Sequence, residues 1–224
     1  MAKTLFKAFY KGILAGLAIG LGGFLYVIMF HLLPNEYGKV LGSLLFSVGL
    51  FLVCTFYLTL YTGKIGLIYE KKQEKSFYIS LPIMLLGNAI GAFALGYACY
   101  FIFRQTSVMV AVNYVCLTRT TLDSFKDYLM CMINSFLCGL CVYLAVKAFT
   151  LNRLKPLGIL LLVFFVFIFV FCGFQHCIAN MFYFGFGNHM SWNTLFNLLI
   201  CITFNSFGPI IGVLLVKLIE RAKQ

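Results

Sequence analysis

One imidazole stands inside a long apolar run, in the segment Gly173-Phe174-Gln175-His176-Cys177-Ile178-Ala179-Asn180-Met181. A neutral histidine donates a hydrogen bond through one ring nitrogen and accepts through the other, and its unperturbed pKa of about 6.5 suits proton exchange near neutrality. Polar groups at membrane depth cost free energy unless they line a cavity or find partners, so His176 marks a point where something small and polar passes. Gln175 beside it carries an amide without charge, and Asn180 follows four residues after the histidine. Asn134 interrupts a different apolar run. For both asparagines, hydrogen bonding between helices and contact with a solute are equally open. No His-Glu-x-x-His segment, paired intramembrane carboxylates or Ser/His nucleophile arrangement occurs, so the chain is not expected to be an enzyme. Its nine cysteines show neither metal-ligand nor disulfide spacing and read as small packing residues; no metal or cofactor is implied.

The surroundings that must hold this segment are overwhelmingly apolar. Residues are 62% hydrophobic and 10% charged, with a mean hydropathy of +1.00, which excludes an ordinary soluble domain. Six apolar runs suffice to span a bilayer, where roughly 20 helical residues cross about 30 Å. They lie near Gly12–Leu33, Leu41–Tyr69, Phe77–Phe103, Tyr128–Phe149, Leu157–Phe184 and Trp192–Val216. The first is too long for a signal peptide, is rich in glycine and ends without a small-residue cleavage site, so it reads as a span. One multi-pass membrane domain over residues 1–224 therefore accounts for the sequence.

The net charge of +11 is distributed by side of the membrane, not as a nucleic-acid footprint. With the amino terminus inside, the inner segments hold Lys3, Lys7, Lys11, Lys64, Lys71, Lys72, Lys75, Lys147, Arg153, Lys155, Lys217, Arg221 and Lys223. The outer segments hold Lys39, Arg104, Arg119 and Lys126. This positive-inside bias puts both termini in the cytoplasm, with the cytoplasmic membrane as the location.

An internal repeat is visible. Asn88-Ala89-Ile90-Gly91 recurs as Asn205-Ser206-Phe207-Gly208, 117 residues later, and the same shift carries Thr62-Gly63 onto Ala179-Asn180. Halves of about 1–104 and 119–224, with three spans each, must insert in opposite senses, which is the inverted repeat of many channels and transporters. Thr62-Gly63-Lys64 interrupts the second run; a discontinuous helix and an ordinary helix end both fit it. Gly185, Gly187 and Asn188 form a comparable break in the fifth run. Gly12, Gly16 and Gly20 share one helix face and predict close packing, internal or between subunits.

These residues together resemble the formate–nitrite transporter family. The matching pieces are Ala15-Gly16 to Gly22-Gly23, Tyr61-Thr62-Gly63, Gly87-Asn88 with Gly91, Asn134, and the Gly173–Met181 segment. The resemblance covers nearly the whole chain. It implies an all-α membrane fold of six transmembrane helices in an aquaporin-like inverted repeat of three plus three, with broken second and fifth helices. It further implies a homopentamer in the lipid bilayer, each protomer with its own pore for small monovalent anions or their acids. Three departures stand out. Gln175 replaces the family's glutamate, Phe204 and Pro209 replace the outer glycines of the last motif, and Arg119 stands near the place of a family lysine. By the same resemblance, Phe46, Leu50, Leu60, Tyr61 and Phe169 form the apolar constrictions, and Thr62 presents its hydroxyl to His176.

The chemistry of passage follows from charge. A bare anion entering an apolar constriction faces an idealised desolvation cost on the order of 20 kcal/mol. Protonating a carboxylate of pKa near ~4 at neutral pH costs ~4 kcal/mol. Crossing as the neutral acid is cheaper, with basic mouths gathering the anion and water or His176 supplying the proton. Formate, nitrite, acetate, lactate and hydrosulfide all meet this description. The alternative is a channel for water or a small polyol, against which stands the absence of paired Asn-Pro-Ala signatures.

Overall fold

The structure, a computed structural model, describes residues 2–33, 35–151 and 155–221; Arg153 and Lys223 of the expected inner basic set lie outside the described residues. Among the described residues all regular structure is helical. In chain order the helices are α1 (Ala2–Leu32), α2 (Asn35–Thr55), α3 (Tyr61–Ile65), α4 (Leu67–Glu70), α5 (Lys75–Phe103) and α6 (Val108–Thr120). They continue as α7 (Phe125–Leu151), α8 (Lys155–Phe171), α9 (Cys177–Phe186), α10 (Trp192–Phe207) and α11 (Pro209–Arg221). Five stretches are long and apolar enough to cross a membrane: α1, Glu36–Thr55 of α2, α5, α7, and α10 with α11.

Two apolar runs are divided by non-helical residues, 56–60 between α2 and α3 and 172–176 between α8 and α9. Both divisions lie upstream of where the sequence suggests them. Thr62-Gly63-Lys64, expected as a break, sits inside α3, and Gly187 caps the end of α9. The physical cause is a left-handed residue in each division, Tyr57 at φ 52° and Gly173 at φ 74°. A left-handed residue turns the chain out of its helix, and an extended stretch carries it into the next one. α6 fills the segment between the third and fourth apolar runs, an apolar stretch too short to be counted among the spans.

Helix α1 packs along α5 and α2, and α7 packs along α8 and α10. Small residues make this possible. A methyl group added at Gly16 would overlap the Asn88 carbonyl, and one at Gly139 would overlap the Asn205 carbonyl. Backbones thus cross in direct contact, where van der Waals packing holds helices together without help from the hydrophobic effect. The Gly12–Gly16–Gly20 stripe faces α5 and Phe182 of α9, so its use is internal.

The same contacts recur along the chain at intervals that depend on the element. Gly16 and Gly139 are 123 residues apart, Asn88 and Asn205 are 117 apart, and Tyr57 and Gly173 are 116 apart. Connecting segments of unequal length explain the differences. At the divided runs Thr62-Gly63 therefore corresponds to Ile178-Ala179, one residue before the Ala179-Asn180 that a constant interval indicates.

Candidate functional site

Each division is clamped by one buried asparagine. Asn88 of α5 accepts the Tyr61 N–H through Oδ1 at 2.8 Å and donates through Nδ2 to the carbonyls of Gly12 at 2.8 Å and Thr59 at 2.9 Å. Asn205 of α10 accepts the Cys177 N–H at 2.9 Å and donates to the carbonyls of Ser135 at 2.7 Å and Gln175 at 2.8 Å. A divided helix exposes main-chain groups that a membrane interior cannot satisfy. Here one amide meets two of them, and its third bond ties the division to α1 through the Gly12 carbonyl or to α7 through the Ser135 carbonyl.

The clamps bring Thr62, in the first turn of α3, against His176, the residue that caps α9. Thr62 Oγ1 lies 2.8 Å from His176 Nε2, and both residues are buried. Nδ1 of the same ring accepts the Ala179 N–H at 3.2 Å. Acting as a helix cap fixes Nδ1 as an acceptor, so the neutral ring carries its hydrogen on Nε2 and donates it to Thr62. A proton on Nδ1 would face the Ala179 N–H donor to donor.

A second group of polar side chains stands beside this pair. Arg119, in the last turn of α6, donates through Nε to Asn180 Oδ1 at 3.0 Å and through Nη1 to the Val115 carbonyl at 2.8 Å. Its guanidinium lies 4.6 Å from the centroid of the Tyr183 ring, a cation–π distance. Asn180 Nδ2 donates to Gln175 Oε1 at 3.1 Å and Asn197 Oδ1 at 2.9 Å. Asn197 Nδ2 in turn reaches Gln175 Oε1 at 2.6 Å and the Arg119 carbonyl at 2.8 Å. The one ion pair among the described residues, Lys147 with Glu70, lies elsewhere, so no carboxylate neutralises Arg119.

His176, Arg119, Asn180 and Tyr183 share a cavity with Phe46, Phe169, Val170, Phe174 and Ala179. Its volume is ≈ 10 Å³, about the room that one water needs. Phe46 meets Phe169 edge to face with centroids 5.7 Å apart, and the Phe169 ring lies 6.0 Å from the imidazole. A second, larger cavity of ≈ 330 Å³ has Leu60, Gly63, Lys64 and Lys155 among its walls. Leu60 precedes Tyr61 and Thr62, so the Thr62–His176 contact connects the surroundings of the two cavities.

Other expected residues sit differently. Leu50 is in the packed core and lines neither cavity. Tyr61 is turned away, its hydroxyl 2.8 Å from Ser206 Oγ of α10. Asn134 contributes its carbonyl, which accepts the Gln175 N–H at 3.3 Å, and its side chain does not line the small cavity. Asn197, fully buried, is a functional candidate that the sequence reading misses. The signal was there: Asn193, Asn197, Cys201 and Asn205 recur every four residues along α10 and make a polar stripe on an apolar helix.

The chain matches the family model described as formate/nitrite transporter over residues 1–220. No curated protein sequence matches it. Among solved structures it is similar to a pentameric formate channel with formate bound, with a TM-score of 0.80 and 22% identity over 97% of this chain and 98% of that one. It is also similar to an FNT family ion channel, with a TM-score of 0.78 and 20% identity over 95% and 93% of the two chains. The fold is thus the one that these two channels share.

Proposed function

We propose, from the premise that the chain belongs to the formate/nitrite transporter family, that it passes small monovalent anions of weak acids across the cytoplasmic membrane. Formate and nitrite are the first candidates; acetate, lactate and hydrosulfide share their chemistry. The observation that carries this reading is an uncompensated guanidinium sharing a one-water cavity with a hydrogen-bonded imidazole under two phenylalanine rings. Arg119 draws the anion in, Phe46 and Phe169 strip its water, and the neutral acid passes His176 toward the Leu60 cavity. With Nδ1 engaged by Ala179, His176 acts as a neutral hydrogen-bonding gate, and water carries the proton. Gln175, Asn180 and Thr62 orient the polar side of the path; Asn134 supports it through the main chain.

The larger architecture in this reading is one transport domain of six spans in an inverted repeat, with termini inside and five protomers assembled, each with its own path. The paired Asn88 and Asn205 clamps support the repeat. The pentameric assembly of the similar formate channel supports the oligomer.

The test is flux in proteoliposomes. Labelled formate and nitrite are expected to enter at rates far above empty vesicles, with the anion of a strong acid such as nitrate excluded. Swelling with glycerol but no formate uptake would replace this reading by that of a neutral-solute channel.

A further inference from the structure

A further cavity lies beside the path, with Tyr57 and Lys64 common to it and the Leu60 cavity. It measures ≈ 570 Å³ and opens where the amino-terminal end of α1, the division after α2, α3 and the loop into α5 come together. Five lysines line it, Lys7, Lys11, Lys64, Lys71 and Lys72, against the single acid Glu74. None of the five takes part in an ion pair among the described residues. Lys11 is held in place by the Tyr57 carbonyl at 2.9 Å, on the left-handed residue that turns the chain out of α2. Tyr57 and Lys64 also line the ≈ 330 Å³ cavity that reaches Leu60, so the two spaces share a wall.

A pocket with four more positive than negative side chains and this much room is mismatched to a one-carbon or two-carbon monovalent anion. It matches a compact anion bearing several charges. Lysine ammonium groups on flexible stems bind phosphate oxygens as movable point charges, which suits a phosphate held from several sides. The position also fits the surface of a bilayer, because Lys11 directly precedes the first apolar run.

We infer that this lysine pocket is a binding site for a multivalent phosphate group, free or carried on a lipid headgroup, and that its occupation throttles the neighbouring path through the shared Lys64. The throttling rests on the proposed transport function; the binding does not. Inorganic pyrophosphate is the probe, titrated calorimetrically into the full chain in nonionic detergent. The Lys7→Gln/Lys72→Gln double variant changes two lysines that line this pocket and not the Leu60 cavity. It is expected to bind pyrophosphate about 25-fold more weakly, from roughly fivefold for each lysine, with binding falling at higher ionic strength. In vesicles, pyrophosphate is expected to slow formate flux through the wild type and not through the double variant, whose flux without pyrophosphate equals that of the wild type. Weaker pyrophosphate binding in vesicles containing phosphatidate than in pure phosphatidylcholine assigns the site to a lipid headgroup. Equal binding in both assigns it to a free phosphate. Absence of pyrophosphate binding, equal affinity of wild type and variant, or flux indifferent to bound pyrophosphate would overturn the inference. Absence of any weak-acid flux, with lysine-dependent binding intact, would instead overturn the transport reading alone.

Discussion

Replacing His176 by alanine removes two hydrogen bonds at once, from the Ala179 N–H at 3.2 Å and with Thr62 at 2.8 Å. Loss of the cap alone costs about 1 kcal/mol of helix stability, so the variant folds and can be assayed. Its formate flux is expected to fall about tenfold or more, the effect of taking away one hydrogen-bonding partner where the path is narrowest. Flux and pH dependence indistinguishable from wild type would remove His176 from the mechanism. Arg119→Gln separates attraction from passage. Near neutral pH its flux is expected to drop roughly tenfold, the worth of one charge–anion contact. As pH falls through the solute pKa of about 4, the neutral acid comes to predominate and the two profiles should converge. Gln175→Glu would set a carboxylate where Asn180 and Asn197 now donate to a neutral carbonyl, and it would bring a counter-charge toward Arg119. Slower anion uptake near neutrality is the outcome to look for.

At the scale of the element, the asparagine clamps are the testable feature. Asn88→Ala and Asn205→Ala each leave one main-chain N–H and two carbonyls without their amide partner. A loss of roughly 2 kcal/mol or more is expected for each, read as a lower thermal midpoint in detergent. Aspartate at either position should be no better, because its second oxygen would face two carbonyls. The sequence disclosed these asparagines as a repeated motif, and it disclosed His176, Gln175 and Asn180 because polar residues stand out in apolar runs. It did not disclose where the helices divide. Glycine and threonine at Thr62-Gly63 draw attention, whereas the turning residue is Tyr57, a side chain with no preference for left-handed backbone. Nor did the search for spans mark α6, which is apolar but at 13 residues too short to cross a membrane, and α6 is what delivers Arg119 to the cavity.

Across the whole molecule, one chain of 25.3 kDa exposes many large apolar side chains, among them Leu44, Phe101, Val110, Phe164 and Leu199. Lipid and neighbouring copies are what cover such surfaces in a membrane protein. A purified particle of five chain masses by light scattering, corrected for detergent, is the expected result; a monomer that retains flux would show that each path works alone. Asn88 and Asn205 are completely enclosed, and between them their amides fix α1, α5, α7 and α10 to the two turning points of the chain. A frame pinned in this way leaves little slack for hinge or rocking displacements around the imidazole. In the proposed transport reading, opening then falls to torsion of the buried Phe46 and Phe169 side chains and not to movement of whole helices.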